Sequence, residues 1–169
     1  LVVGGLVSIS VVGFREAIDL VQGVFYGFDG FYGNDSEQLA PIAADLPGWR
    51  IVLATTVGGL IVGVLAYRLL PMRRPHGVSD VIEANALLGG RMSSRIGVTA
   101  ALINAISIGT GASVGREGPA VHLGASLSSW IGRRLHLSRA LTRTLLGCGV
   151  AAAVAASFNA PIAGALFAN

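Results

Sequence analysis

Long apolar stretches alternate along the chain with short interruptions rich in glycine or charge. Residues 1–28 predict a first helix, apolar up to Phe14 and carrying Arg15, Glu16 and Asp19 further on. Residues 29–48, rich in Gly, Asp, Asn and Pro, read as a loop. The run 49–70 that follows is ended by Pro71 and is the cleanest candidate for a membrane helix, since a span takes about 20 apolar residues.

Beyond Pro71 the pattern no longer looks like simple spans. Residues 79–89 are too short to cross a bilayer, 96–114 are nearly long enough, and 119–135 begin immediately after a glycine. Two further helices are expected over 138–157 and 161–169, separated by FNAP, where Asn159 is placed to cap and Pro161 to occupy the first turn. At membrane depth, interrupted helices survive only where their free backbone groups face protein or a water-filled cavity. The predicted fold class is therefore an all-α membrane protein with broken and re-entrant transmembrane helices. Segments such as GTGASVG, GASLSS, GCGVAAAVAAS and APIAGALFA fit that class, because small residues let helices approach closely in lipid. In a water-soluble bundle, each glycine inside a helix would cost about 1 kcal/mol.

Composition moves the picture the same way. Of 169 residues, 53% are hydrophobic and only 12% charged, which points to the lipid bilayer as solvent. All twelve basic residues are arginine, and they are unevenly spread. Asp29, Asp35, Glu37 and Asp45 share residues 28–48 with no basic residue. Arg68, Arg73, Arg74, Arg91 and Arg95 follow, and then Arg133, Arg134, Arg139 and Arg143. By the positive-inside tendency, the arginine clusters face the cytoplasm and the acidic loop faces out, as in a multi-pass protein of the cell membrane. The net charge of +3 thus reports topology, and the lack of a basic stripe interleaved with aromatics argues against nucleic acid as a partner. Cys148 stands alone in LLGCGVAAAV, where packing is its natural role. No set of His, Cys, Asp and Glu has metal-ligand spacing, and no G-x-x-x-x-G-K-[ST] occurs, so no metal and no cofactor is expected. The chain begins without methionine in one apolar run and ends inside another, so both ends read as cut.

The chemistry concentrates in residues 107–125, SIGTGASVGREGPAVHLGA, where one helix ends in glycines and another opens at Gly118–Pro119. Proline is tolerated there because its missing N–H would have had no intrahelical partner. The remaining N–H groups and the positive end of the helix dipole make an anion site without a full positive charge, which binds an ion yet lets it leave. Glu117 lies at this same helix start. Its carboxylate is itself an anion and competes for those N–H groups, whereas protonation releases it, linking an open path to pH and offering a route for protons. The plainer alternative is a first-turn glutamate that merely complements the dipole.

GREGPAVHLG closely resembles the glycine–basic–glutamate–glycine–proline signature of the CLC family of chloride channels and chloride/proton exchangers. FNAPIAGALFA resembles the second marker of that family. The resemblance runs over most of residues 1–169 and implies a partial transmembrane domain, the first half of a CLC-type inverted repeat. It also implies a homodimer with one pathway per subunit and transport of chloride or a similar small anion, gated by Glu117. The backbone of Gly115, Arg116, Glu117 and Gly118 would then face an anion position, with Arg116 more a structural or electrostatic support than a direct ligand. The inner proton-transfer glutamate, where the family has one, would lie just past Asn169.

One departure stands out. The GSGIP of the family, whose serine helps hold the central anion, is replaced by Pro75, His76, Gly77, Val78 and Ser79, with His76 at the serine position. Ser79 is placed to cap the helix that follows, with Asp80 and Glu83 in its first turn as an S-x-x-E box. Whether a hydroxyl, an imidazole or backbone N–H groups alone meet the anion stays open at this stage. His122 invites a proton-relay role beside Glu117, against the plainer role of a packed histidine. Chloride/proton antiport is the favoured expectation and a passive voltage-gated channel the alternative. Outside the family, a membrane-embedded enzyme would need a nucleophile or metal beside Glu117, and neither is visible. A purely structural scaffold would leave a glutamate at a glycine–proline break unexplained.

Overall fold

The computed structural model describes residues 2–27, 46–71, 74 and 76–168. Most of the acidic stretch, together with Arg73 and Pro75, lies outside the described residues. Within them the regular structure is entirely helical: α1 (Val2–Tyr26), α2 (Gly48–Leu69), α3 (Val78–Ala86), α4 (Ser94–Gly109), α5 (Glu117–Arg134), α6 (Arg139–Phe158) and α7 (Pro161–Phe167). This is the expected all-α architecture.

Helix α1 buries Val7, Val11, Phe14 and Ile18, a stripe that returns every three or four residues and so stays on one face. The stripe packs on Ala101 and Ala105 of α4, Ala120 and Leu123 of α5, and Ala153 of α6. Helix α5 sits in the middle and is enclosed on all sides from Pro119 to Ser126. On another side, Val121 and Ala125 meet Val81 and Ala84 of α3 and Leu146 and Val150 of α6. Small residues make this crowding possible. A Cβ built on Gly124 would lie 2.8 Å from the Gly149 carbonyl oxygen and 2.9 Å from Val7 Cγ1, so the helices touch backbone to backbone.

Helix α2 behaves differently, burying only Ala54 and Gly58 while Val52, Leu53, Leu60 and Val64 stay exposed. A helix that is apolar all round and mostly unpacked has the surface lipid requires. Among the described residues, α2 and α6 are long and apolar enough to cross a membrane.

The helix ends correct the sequence in detail. Helix α4 stops at Gly109, short of residue 114, because Gly111 and Gly115 take φ of 102° and 72° and turn the chain out of the helix. Helix α5 starts two residues before Pro119, which then sits within the first turn. Asn159 does not open α7: it closes α6 with φ 51° and ψ 36°, a left-handed cap that asparagine tolerates, and Ala160 becomes the N-cap of α7. Ser138 caps α6, its Oγ accepting from the Leu141 N–H at 3.3 Å. Gly77, rather than Ser79, is the N-cap of α3. Ser79 and Glu83 stand four apart, one too many for the box, and Asp80 takes the role, its Oδ2 accepting from the Gly77 N–H at 2.9 Å.

Candidate functional site

The starts of α3 and α5 converge. A Cβ on Gly118, in the first turn of α5, would lie 4.0 Å from Gly77 Cα, the N-cap of α3. At the α5 start, the Arg116 carbonyl accepts from the Ala120 N–H at 3.2 Å. By the geometry of a helix start, the N–H groups of Glu117 and Gly118 therefore precede the first intrahelical bond, and Pro119 has none to offer. At the α3 start, Asp80 binds the Gly77 N–H and pairs with Arg74, Nη2 to Oδ1 at 2.7 Å. Burial disfavours the charged Asp80, but the Gly77 N–H and the Arg74 guanidinium outweigh it and hold the carboxyl below its usual range.

Beside the two starts lies a partly open cavity of about 310 Å³. At roughly 30 Å³ per water molecule, that is room for a small anion with its hydration shell. Its polar wall comes from His76, Gly77 and Ser79 on one side and from Asn104 and Ser107 of α4 on another, with Gly118 and Pro119 between. Val62, Ala66 and Leu70 close the α2 side. His76 and His122 are both buried, and their rings stand 5.3 Å apart, tilted by 54°. The Nδ1 atoms of both rings are buried without a hydrogen-bond partner. His122 thus lies beside His76. Five residues on from Glu117, it falls on a different side of α5, which removes the basis for a direct relay between them.

The chain brings His76, Gly77, Ser79 and Gly118 to one cavity, while Val78 turns towards the apolar cluster of Val81 and Leu146. Gly115, Arg116 and Glu117 adjoin it along the chain and are not in its wall. The Glu117 carboxylate folds back over Gly115, so that a Cβ there would lie 2.9 Å from Oε2; the glycine that the left-handed φ favours has none and leaves the space open. Asp19 of α1 feels the charges of Glu16 and Arg15 and, more weakly, that of Arg116. Asn104 and Ser107 went unnoticed in the sequence. The available signal was their spacing, since two polar residues three apart in an apolar run share one helix face.

A helical assembly with two apolar helices long enough to cross a membrane, and two further helix starts meeting at a partly open cavity, has the make-up of a membrane protein. The particular family follows from comparison: voltage gated chloride channels match residues 58–169, and the chain belongs to that family. Among curated relatives, a ClcB-like chloride channel protein from Ralstonia nicotianae is 35% identical over 176 residues, which cover 99% of this chain and 39% of that protein. The voltage-gated ClC-type chloride channel ClcB of Escherichia coli is 33% identical over 168 residues, covering 98% of this chain and 38% of its own length. The chain thus spans about two fifths of the relatives it matches. No solved structure matches it.

Proposed function

We propose that the chain forms the first inverted-repeat half of a chloride transport path, with Glu117 as its gating carboxylate. The observation that carries this is the meeting of the α3 and α5 starts at one cavity, with Glu117 at the α5 start. Anions bind at such starts through backbone N–H groups and the helix dipole, and the path stays free of a full positive charge that would trap them. Ionised, the Glu117 carboxylate competes for this site. Protonated, it lets go, and the same group carries a proton, which favours chloride/proton exchange over passive conduction. Gly115, Gly118, Gly77, Val78 and Ser79 contribute backbone or small polar groups, His76 replaces a hydroxyl with an imidazole, and Arg116 supports the site through Asp19. The protein would act as a multi-pass homodimer in the cell membrane, the arginine-rich ends of its helices facing the cytoplasm. Other helix starts, from the second half, would complete the path.

The test is Glu117→Gln in the full-length protein reconstituted in liposomes, reading chloride efflux and proton movement driven by a chloride gradient. Chloride flux is expected to persist and to lose its pH dependence, and proton coupling to vanish, because glutamine neither competes as an anion nor carries a proton. A wild-type protein that passes chloride without proton movement would establish the channel alternative. A folded variant that keeps both wild-type pH dependence and coupling would reduce Glu117 to a dipole-complementing residue.

A further inference from the structure

From the adjacent, buried histidines we infer that His76 and His122 form a second proton site, separate from Glu117, whose proton turns His76 into a charged ligand for the anion in the cavity. The inference rests on the anion path proposed above.

Three observations converge on it. His76 is 9% exposed and His122 3%, so both rings are at least nine-tenths buried, and each leaves Nδ1 without a protein partner. His76 stands in the wall of the cavity, beside Gly77 and Gly118 where the two helix starts meet. The rings lie 5.3 Å apart, too close for both to carry a charge in a buried site, so the couple takes up one proton and not two. A neutral imidazole offers one donor and one acceptor, whereas an imidazolium offers two donors. Protonation therefore supplies the cavity with an N–H that carries charge, a stronger anion ligand than a neutral hydroxyl.

The surroundings leave this proton to the couple. Asp80 is the carboxylate whose charge acts on both rings, and it is already held by Arg74 and the Gly77 N–H. Helices α2 and α4 face the cavity with Val62, Ala66, Asn104 and Ser107, none of which titrates. Helix α6 meets this side of α5 with Leu146 and Val150. Other titratable groups of these helices, Tyr67, Arg68, Glu83, Arg95, Arg139, Arg143 and Cys148, are exposed, Arg50 is half-buried at the other end of α2 near Gly27, and on α1 Asp19 feels the charges of Glu16, Arg15 and Arg116. With the Asp80 carboxylate already paired to Arg74, the couple takes up its proton when the anion binds and gives it back to water when the anion is released. Affinity for the anion and affinity for the proton then rise together, because linkage is reciprocal.

Chloride binding to full-length Glu117→Gln protein in detergent tests this without interference from the gating carboxylate. Calorimetry in buffers of different ionisation heat reads both affinity and proton uptake. Chloride is expected to bind with uptake of a proton, and to weaken on raising the pH from about 5.5 to about 7.5 by a factor of roughly 5 to 100, the ceiling being the tenfold per pH unit that linkage to one proton allows. His76→Gln, added to that background, is expected to bind chloride more weakly at about pH 5.5, with no proton uptake and no further weakening as the pH rises. Chloride binding to Glu117→Gln protein without proton uptake overturns the inference and leaves the anion path standing, as does proton uptake that survives His76→Gln. No chloride binding at any pH overturns both.

Discussion

Helix α6 carries two glycines two residues apart whose replacement by alanine should act in opposite directions. At Gly147 a Cβ would meet the Ala168 carbonyl oxygen at 3.7 Å, an ordinary contact, so Gly147→Ala should gain the helix preference of alanine, about 1 kcal/mol. At Gly149 the same Cβ would lie 2.6 Å from the Gly124 carbonyl oxygen and 2.8 Å from Ser128 Cβ, and would overlap Ser128 Oγ as well. Backbone cannot rotate aside, so α5 and α6 must part, and overpacking of this kind costs about 1–3 kcal/mol. Net of the helix gain, Gly149→Ala should destabilise by up to about 2 kcal/mol. The two variants would then differ by up to about 3 kcal/mol, more than a hundredfold in the unfolding equilibrium. Reversible unfolding of the full-length protein in mixed micelles, followed by tryptophan fluorescence, measures this directly. Ser128→Gly added to Gly149→Ala should recover only part of the loss, since the Gly124 carbonyl remains in the way. If Gly149→Ala proves as stable as the parent, α5 and α6 do not touch backbone to backbone and the packing described here is wrong.

Arg143 donates from Nε to the Asn85 carbonyl at 2.7 Å and from Nη2 to that of Ala86 at 2.8 Å, tying the end of α3 to α6. Arg143→Ala should cost about 1 kcal/mol, modest because the side chain is exposed, and should speed amide exchange in α3; Arg143→Lys should rescue little, having no two-pronged donor. Gly115→Ala should displace the Glu117 carboxylate as well as strain a left-handed backbone by about 1 kcal/mol, shifting the pH profile of chloride efflux in the direction of Glu117→Gln. An unchanged profile would separate the position of that carboxylate from gating.

The fold class was legible because lipid imposes it: apolar runs of bilayer length and glycine-dense interruptions leave little but broken helices. The α5 start was legible because Gly118 and Pro119 are themselves backbone instructions. What failed did so where one residue type serves two geometries. Asn159 signals a cap at either end of a helix, and only the left-handed turn after α6 decides which. Ser79 lost the α3 cap to Gly77 because Asp80 could reach back to the Gly77 N–H, a contest between neighbours that composition does not settle. The meeting of His76 with His122 was hidden altogether, since they are 46 residues apart and come together only when α3 packs on α5.

That meeting separates two kinds of contribution to the candidate site. The N–H groups of a helix start belong to the backbone and survive any substitution that keeps the helix in place, so replacing a serine with His76 leaves the anion-attracting end of α3 intact. Proton chemistry, in contrast, resides wholly in side chains. In the function proposed above, Glu117 stands at the α5 start beside the cavity and His76 in its wall, one as a competing anion and the other as a conditional donor, so that protonation would favour the anion at both. On that proposal, changing either would alter how transport depends on pH without removing the site, whereas changing Gly77 or Gly118, where the starts come within contact, would alter the site itself.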